Sequence, residues 1–170
     1  MSLLRKTPAI FGTRKKQQPV IGNTMKTDYL TIACCLLLTG CATVPMGTEA
    51  EKQTAVAFTP PPGTANVYII RREAYMGGAI LATASVDSQM AGGLQTGSFI
   101  YKTVSPGSHT VSVFSNENQC SLPFSAEAGK NYFFDVQSAM GWVSARFVIH
   151  PMPEADAKEA VERCKITAHL

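Results

Sequence analysis

Trp142-Val143-Ser144-Ala145-Arg146-Phe147-Val148-Ile149-His150 alternates residue by residue, and a few positions later the alternation has gone. Val143, Ala145, Phe147 and Ile149 fall on one side of an extended chain, and Ser144, Arg146, Val148 and His150 fall on the other. Beyond Pro153 the spacing changes. Ala157, Ala160, Val161 and Cys164 make one stripe of a helix over 155–164. Pro153 suits its first turn, Glu154 and Asp156 complement its positive end, and Arg163 and Lys165 its negative end. A period of two that gives way to one of 3.6 at the C-terminus predicts an all-β body closed by a helix.

The same alternation runs upstream. Tyr132, Phe134 and Val136 share a side of Lys130–Ser138, and Cys120, Leu122 and Phe124 share a side of Gln119–Ser125. Pro123 has no N–H for a sheet ladder, which confines that strand to an edge or a bulge. His109–Ser115 and Gly97–Val104 alternate too, the latter with Phe99 and Tyr101 together. Between them, Ser105-Pro106-Gly107-Ser108 has the residues of a type II turn, so the two strands are expected to pair as a hairpin. Ala79–Asp87 aligns Ile80, Ala82, Ala84 and Val86 before a turn at Asp87-Ser88-Gln89, and Asn66–Arg72 is β-branched and aromatic. The expected fold of residues 64–170 is an antiparallel β-sandwich of about seven strands with a C-terminal helix.

The N-terminal part reads differently. Tyr29–Leu38 is nearly all apolar but far short of the roughly 20 residues that span a bilayer. It has the length of a signal-peptide core, preceded by Lys26. Leu38-Thr39-Gly40-Cys41 resembles a bacterial lipobox. That resemblance implies cleavage before Cys41, a diacylglycerol thioether on its sulfur, and a lipid bilayer as a partner. Ala42 in place of an acidic residue implies, by the same analogy, an outer-membrane, periplasm-facing location in a Gram-negative cell. Residues 25–40 are thus read as a lipoprotein signal peptide, and residues 1–24 as an upstream stretch before a start at Met25. Residues 41–63, ending in Thr59-Pro60-Pro61-Pro62-Gly63, read as the lipidated cysteine and a proline-stiffened tether that lifts the domain off the lipid.

Charge follows this division. Residues 1–40 hold six Lys/Arg against Asp28 alone, whereas residues 41–170 hold nine against eleven acids. A slightly acidic globular part argues against nucleic acid as a partner. Of five cysteines, Cys34 and Cys35 leave with the leader and Cys41 is the acylation candidate. Cys120 and Cys164 remain, each on an apolar face. In an oxidising compartment they are expected to bridge between helix and sheet, the alternative being two buried free thiols.

The signs of chemistry are few. His109, His150 and His169 lack the spacing of a zinc site, and no nucleophile elbow or phosphate loop is present. No metal, cofactor or catalytic residue is expected, and Asp87 and Asp135 read as solvated carboxylates. The candidate binding residues are Arg71, Arg72 and Tyr75, with Met76-Gly77-Gly78 after the first strand, and Trp142 at a hairpin. Exposed aromatic side chains on loops can stack on sugars or anchor a partner.

Val86-Asp87, Gly97-Ser98-Phe99-Ile100-Tyr101, Pro106-Gly107-Ser108-His109-Thr110-Val111 and Ala128-Gly129-Lys130-Asn131-Tyr132-Phe133 together resemble a family of small bacterial lipoproteins that carry a β-sandwich domain of unknown function. The resemblance spans residues 64–150, with Ser88 where the family has a hairpin glycine. Its motifs form turns and bring no catalytic residue with them. The function expected is that of a membrane-anchored envelope lipoprotein with a structural or protein-interaction role, not an enzyme, with an envelope protein as partner. The alternative is a periplasmic module that binds glycan, a peptidoglycan fragment or a small ligand.

Overall fold

The computed structural model describes residues 44–75, 77–142 and 144–168. The leader and Cys41 lie outside the described residues, as do Met76, Val143 and His169. Among the described residues nine strands build two sheets. β1 (Ala65–Arg71), β4 (Ser98–Val104), β7 (Asn131–Met140), β8 (Ala145–Pro151) and the two-residue β9 (Lys165–Ile166) form one, in the order β8-β7-β1-β4-β9. β2 (Ala82–Val86), β3 (Gln89–Leu94), β5 (Gly107–Phe114) and β6 (Gln119–Ala126) form the other, in the order β3-β2-β5-β6.

The β-sandwich with its C-terminal helix is present, with differences in strand count and direction. The four-stranded sheet is antiparallel throughout, but β1 pairs in parallel with β7, and β4 with β9. All seven residues of β1 are buried. This strand is central in its sheet, and both of its faces are covered, as parallel pairing usually requires. Val67 and Ile69 face the second sheet and, with Phe134 and Phe147 of their own sheet, meet its Ala84, Val111 and Val113 in the inner core. Tyr68 and Ile70 face outward into a second cluster with Phe99, Phe133 and Ala157.

Two helices cover that outer cluster. α2 (Glu154–Arg163) buries Ala157, Ala160 and Val161, the stripe expected from its spacing. α1 (Glu49–Val56) lies within the stretch expected to be a free tether, and this is a correction. Its capping box explains it: the Thr48 hydroxyl accepts from the Glu51 N–H, and the Glu51 carboxylate accepts from the Thr48 N–H. Ala55 is fully buried, and its carbonyl accepts from the Tyr68 hydroxyl at 2.8 Å. The Phe58 carbonyl accepts from Asn131 Nδ2 at 2.7 Å, and the Phe58 ring sits 5.6 Å from that of Tyr68. Ahead of α1, Met46 bridges Thr167, Gly47 N–H donates to Ile166, and Val44 is buried. The segment from Val44 to Phe58 is therefore part of the folded body.

Two further expectations are corrected. Pro106-Gly107 does not join a hairpin: β4 and β5 belong to different sheets, and the chain crosses between them there. Gly107 has φ +138°, so the turn needs glycine whichever strands it connects. Cys120 and Cys164 are not bridged. Cys120 packs against the inner core between the sheets, and Cys164 lies in the outer cluster beneath α2, so the five-stranded sheet separates two free thiols. Pro123 does lie on an edge strand, since β6 ends its sheet. No helix among the described residues is long and apolar enough to cross a membrane.

Candidate functional site

The four residues singled out from sequence all come to one end of the sandwich, with three different fates. Arg71 ends β1 with 1% of its surface exposed, a residue of the core rather than of a binding surface. Its guanidinium donates to the carbonyls of Ile80 at 2.6 Å, Leu94 at 3.0 Å and Gly77 at 2.7 Å, and lies 4.6 Å from the centre of the Phe147 ring. Burial lowers its pKa. These bonds pin the loop from Arg72 to Leu81 onto the sheet end.

Arg72, one residue on, points to the other side of the sheet. Its Nη2 meets Asp135 Oδ2 at 2.6 Å and its Nε meets Oδ1 at 3.3 Å, and this paired carboxylate raises its pKa. Gln137 Nε2 also donates to Asp135 Oδ2, at 2.7 Å. Asp135 is buried here, against the expectation of a solvated carboxylate. The pair forms the floor of a groove of about 700 Å³ between β7, the Arg72–Ala74 segment and α2. Glu73, Ser138, Asp156 and the Glu159–Arg163 ion pair supply polar walls. The groove was not legible from sequence, because Asp135 and Asp156 meet Arg72 only through the parallel β1–β7 pairing and the docking of α2.

Tyr75 and Trp142 stand clear of the surface, at 107% and 94% exposure, and Met140 beside them is 80% exposed. Trp142 does not cap the core. Its hairpin, between β7 and β8, is fixed from below by Glu117, whose carboxylate accepts from the N–H groups of Trp142 and Ser144 at 3.1 and 2.5 Å. A Cβ at Gly141 would collide with that carboxylate, which explains the glycine. The Tyr75 loop adjoins this hairpin. Gly77, at φ +73°, lies so close that a Cβ there would be 3.0 Å from Ser138 Cβ and 3.2 Å from Ala145 Cβ. A shallow hollow lined by Ile80, Met140 and Trp142 separates the two loops. The aromatic end and the polar groove meet at Ser138, which lines both.

The site has little means for covalent chemistry. Cys164 borders the groove, but burial pushes its thiol up to about 11, so at neutral pH it is not a thiolate. His109 and Asp87 have the spacing of a catalytic dyad, with Nδ1 and Oδ2 2.5 Å apart. The other ring nitrogen faces the Ser105 carbonyl at 2.7 Å and is not free to serve a nucleophile. Among the described residues no group of three His, Cys, Asp or Glu side chains could hold a metal ion.

A two-layer sandwich with helices on one side, and a ligand-sized groove beside exposed aromatic loops, defines a class of small β-rich modules rather than an activity. Within that class the chain belongs to the family described as protein of unknown function (DUF2846), whose model matches residues 61–149. It is also 32% identical over 133 residues to an uncharacterized protein of Haemophilus influenzae, covering 78% of this chain and 79% of that one. The family match bears out the resemblance to a domain of unknown function, and its span takes in β1 to β7 and β8 as far as Ile149, with the Arg72 groove floor, Tyr75 and Trp142.

Proposed function

We propose that this protein is an envelope lipoprotein, anchored through acylated Cys41 in the outer membrane, whose folded domain binds an envelope protein through the Tyr75–Trp142 end without catalysing a reaction. The observation that carries the reading is the pair of neighbouring loops that hold Tyr75, Met140 and Trp142 in solvent. Large apolar side chains so exposed usually mark an interaction surface. Here the loops beneath them are fixed by Arg71 and Glu117, so docking would order little new backbone.

A photo-crosslinking residue in place of Trp142 or Tyr75, in the full-length protein in intact cells, should trap one discrete protein that the same residue at Lys158 does not. Trp142→Ala should weaken that association at least about tenfold, as loss of an aromatic anchor does, and leave the unfolding midpoint unchanged. Equal adducts at all three positions would overturn the reading. The adjoining groove favours a second one, the binding of a glycan or peptidoglycan fragment, since Arg72, Gln137 and Ser138 offer polar groups beside an aromatic ring. Calorimetric titration with such fragments, in which Arg72→Ala and Trp142→Ala both abolish the heat, distinguishes it.

A further inference from the structure

The four strands of the second sheet contain no Lys, Arg, Asp or Glu. Their only histidine, His109, faces inward against Phe124. The outward positions follow from alternation and register: Ser85 pairs with Ser112, Thr110 with Pro123, and Ser108 with Ser125. On the β6 side Ser108, Ser121, Pro123 and Ser125 are exposed, while Ser85 and Ser112 at the middle of the face are buried, and the outer face of the five-stranded sheet lies under α1 and α2. Exposed sheets ordinarily carry charged side chains that oppose association, and this face has none.

The path of the chain indicates what it meets. Val44 lies against the outward side of the edge strand β3: a Cβ on Gly93 would be 2.9 Å from Val44 Cγ2. Gly93 pairs with Thr83 and so shares the uncharged face. Half-exposed Met90 is on the same strand, and Leu81 is exposed just before β2. Because residues 44–58 are folded onto the domain, only three peptide steps separate Val44 from Cys41, at most about 11 Å. A tether of the length expected from sequence would let the domain turn freely above a membrane, and one this short would not.

We propose that, when anchored at Cys41, the domain lies with the outer face of its four-stranded sheet against the bilayer surface, directing α1, α2 and the Arg72 groove away from it. This rests on the lipid-anchor reading above and extends it. An uncharged serine- and threonine-bearing surface can approach lipid headgroups without stripping water from any ion, and Met90 and Leu81 add shallow apolar contact. The acyl chains supply the affinity, and the short link sets the orientation.

Trp142 is the single tryptophan of the chain, so the test can move it. Full-length, processed protein carrying Trp142→Phe is placed in phosphatidylethanolamine–phosphatidylglycerol vesicles containing brominated lipid. The tryptophan is reintroduced as Ser121→Trp or Ser125→Trp on the uncharged face, or as Glu159→Trp on α2. Flotation with the vesicles that is lost in Cys41→Ala establishes the anchor independently of the orientation. In floating protein, quenching at 121 and 125 should exceed that at 159, as brominated acyl chains quench a tryptophan held at the membrane face and not one turned away from it. Equal quenching at all three, or none, overturns the orientation while leaving the anchor intact. Shielding of 121 and 125 in detergent, without vesicles, would show that a second copy or another protein covers the face and would equally overturn it. Failure to float overturns the anchor reading itself.

Discussion

Arg71 is a buried cation held by carbonyl oxygens, and it joins the end of β1 to both the loop before β2 and the end of β3. Replacing it with methionine keeps the bulk but takes the side-chain donor from the carbonyls of Ile80 and Leu94, while that of Gly77 keeps the Ile80 N–H. Each such buried group costs about 1–3 kcal/mol, so Arg71→Met should lose about 3 kcal/mol or more in urea denaturation. Arg71→Lys should recover little, because one ammonium cannot span three carbonyls set around a planar guanidinium. His109 acts at the opposite end. The Asp87 carboxylate on one ring nitrogen, with the Ser105 carbonyl on the other, raises its pKa above the usual 6.5. Its contribution to stability is therefore full below about 6.5 and is lost as pH rises through the folded value. Asp87 moves the other way, lowered mainly by its bond to His109. Its contribution is present above its unfolded pKa and is lost as pH falls through the lower folded one. The stability difference between wild type and His109→Gln should thus narrow as pH rises above about 6.5 and through the raised folded value, as followed by urea midpoints. A constant difference would mean that His109 stays neutral in the fold.

At the scale of elements, the crossover from β4 to β5 depends on Gly107, whose φ of +138° is open to few other residues. Nothing lies within 4 Å of a Cβ placed there, so the penalty for a side chain is backbone strain and not a clash. Gly107→Val and Gly107→Ala should then both lose about 1–3 kcal/mol, and a much smaller loss for alanine would point to crowding instead. Local chemistry made the turn legible but not its topology, since Pro106-Gly107 reverses the chain equally well within one sheet or between two. The elements missed in the sequence have local reasons as well. β3 leaves no periodic signal because Ala91-Gly92-Gly93 has neither alternation nor β-branching, and its ladder to β2 shifts register after Ala84. β9 is two residues long, below any periodic signal. α1 did carry a signal, Thr48 followed three residues later by Glu51, but the proline run beyond it weighed toward a tether.

For the whole molecule, the folded body reaches back at least to Val44 and does not start at Thr64. Starting the chain at Thr64 would uncover Tyr68 and Phe133 and remove the carbonyls that satisfy Tyr68 and Asn131. A fragment from Val44 to Leu170 should unfold in one transition, with the Thr64–Leu170 fragment less stable by about 3 kcal/mol or more, through lost apolar burial and two lost hydrogen bonds. Equal midpoints would mean that α1 only rests on the surface. Layer order and core faces were legible because alternation reports burial directly: Phe134 and Val136 face the second sheet, and Phe99 and Tyr101 face the helices. The cysteine pairing and the groove were not, because they depend on which strands become neighbours across long stretches of chain, and alternation is silent on that.

Asn118 closes the side of the sandwich opposite Val44. Its amide nitrogen donates to the Phe147 carbonyl at 2.7 Å and its amide oxygen accepts from the Phe147 N–H at 2.9 Å. One side chain thus takes the place of a tenth strand one residue long along β8, the outermost strand of its sheet. A stranger's backbone seeking to add itself there finds the central pair of groups already engaged. The molecule carries its own stopper against growing, copy upon copy, into a fibre along that border.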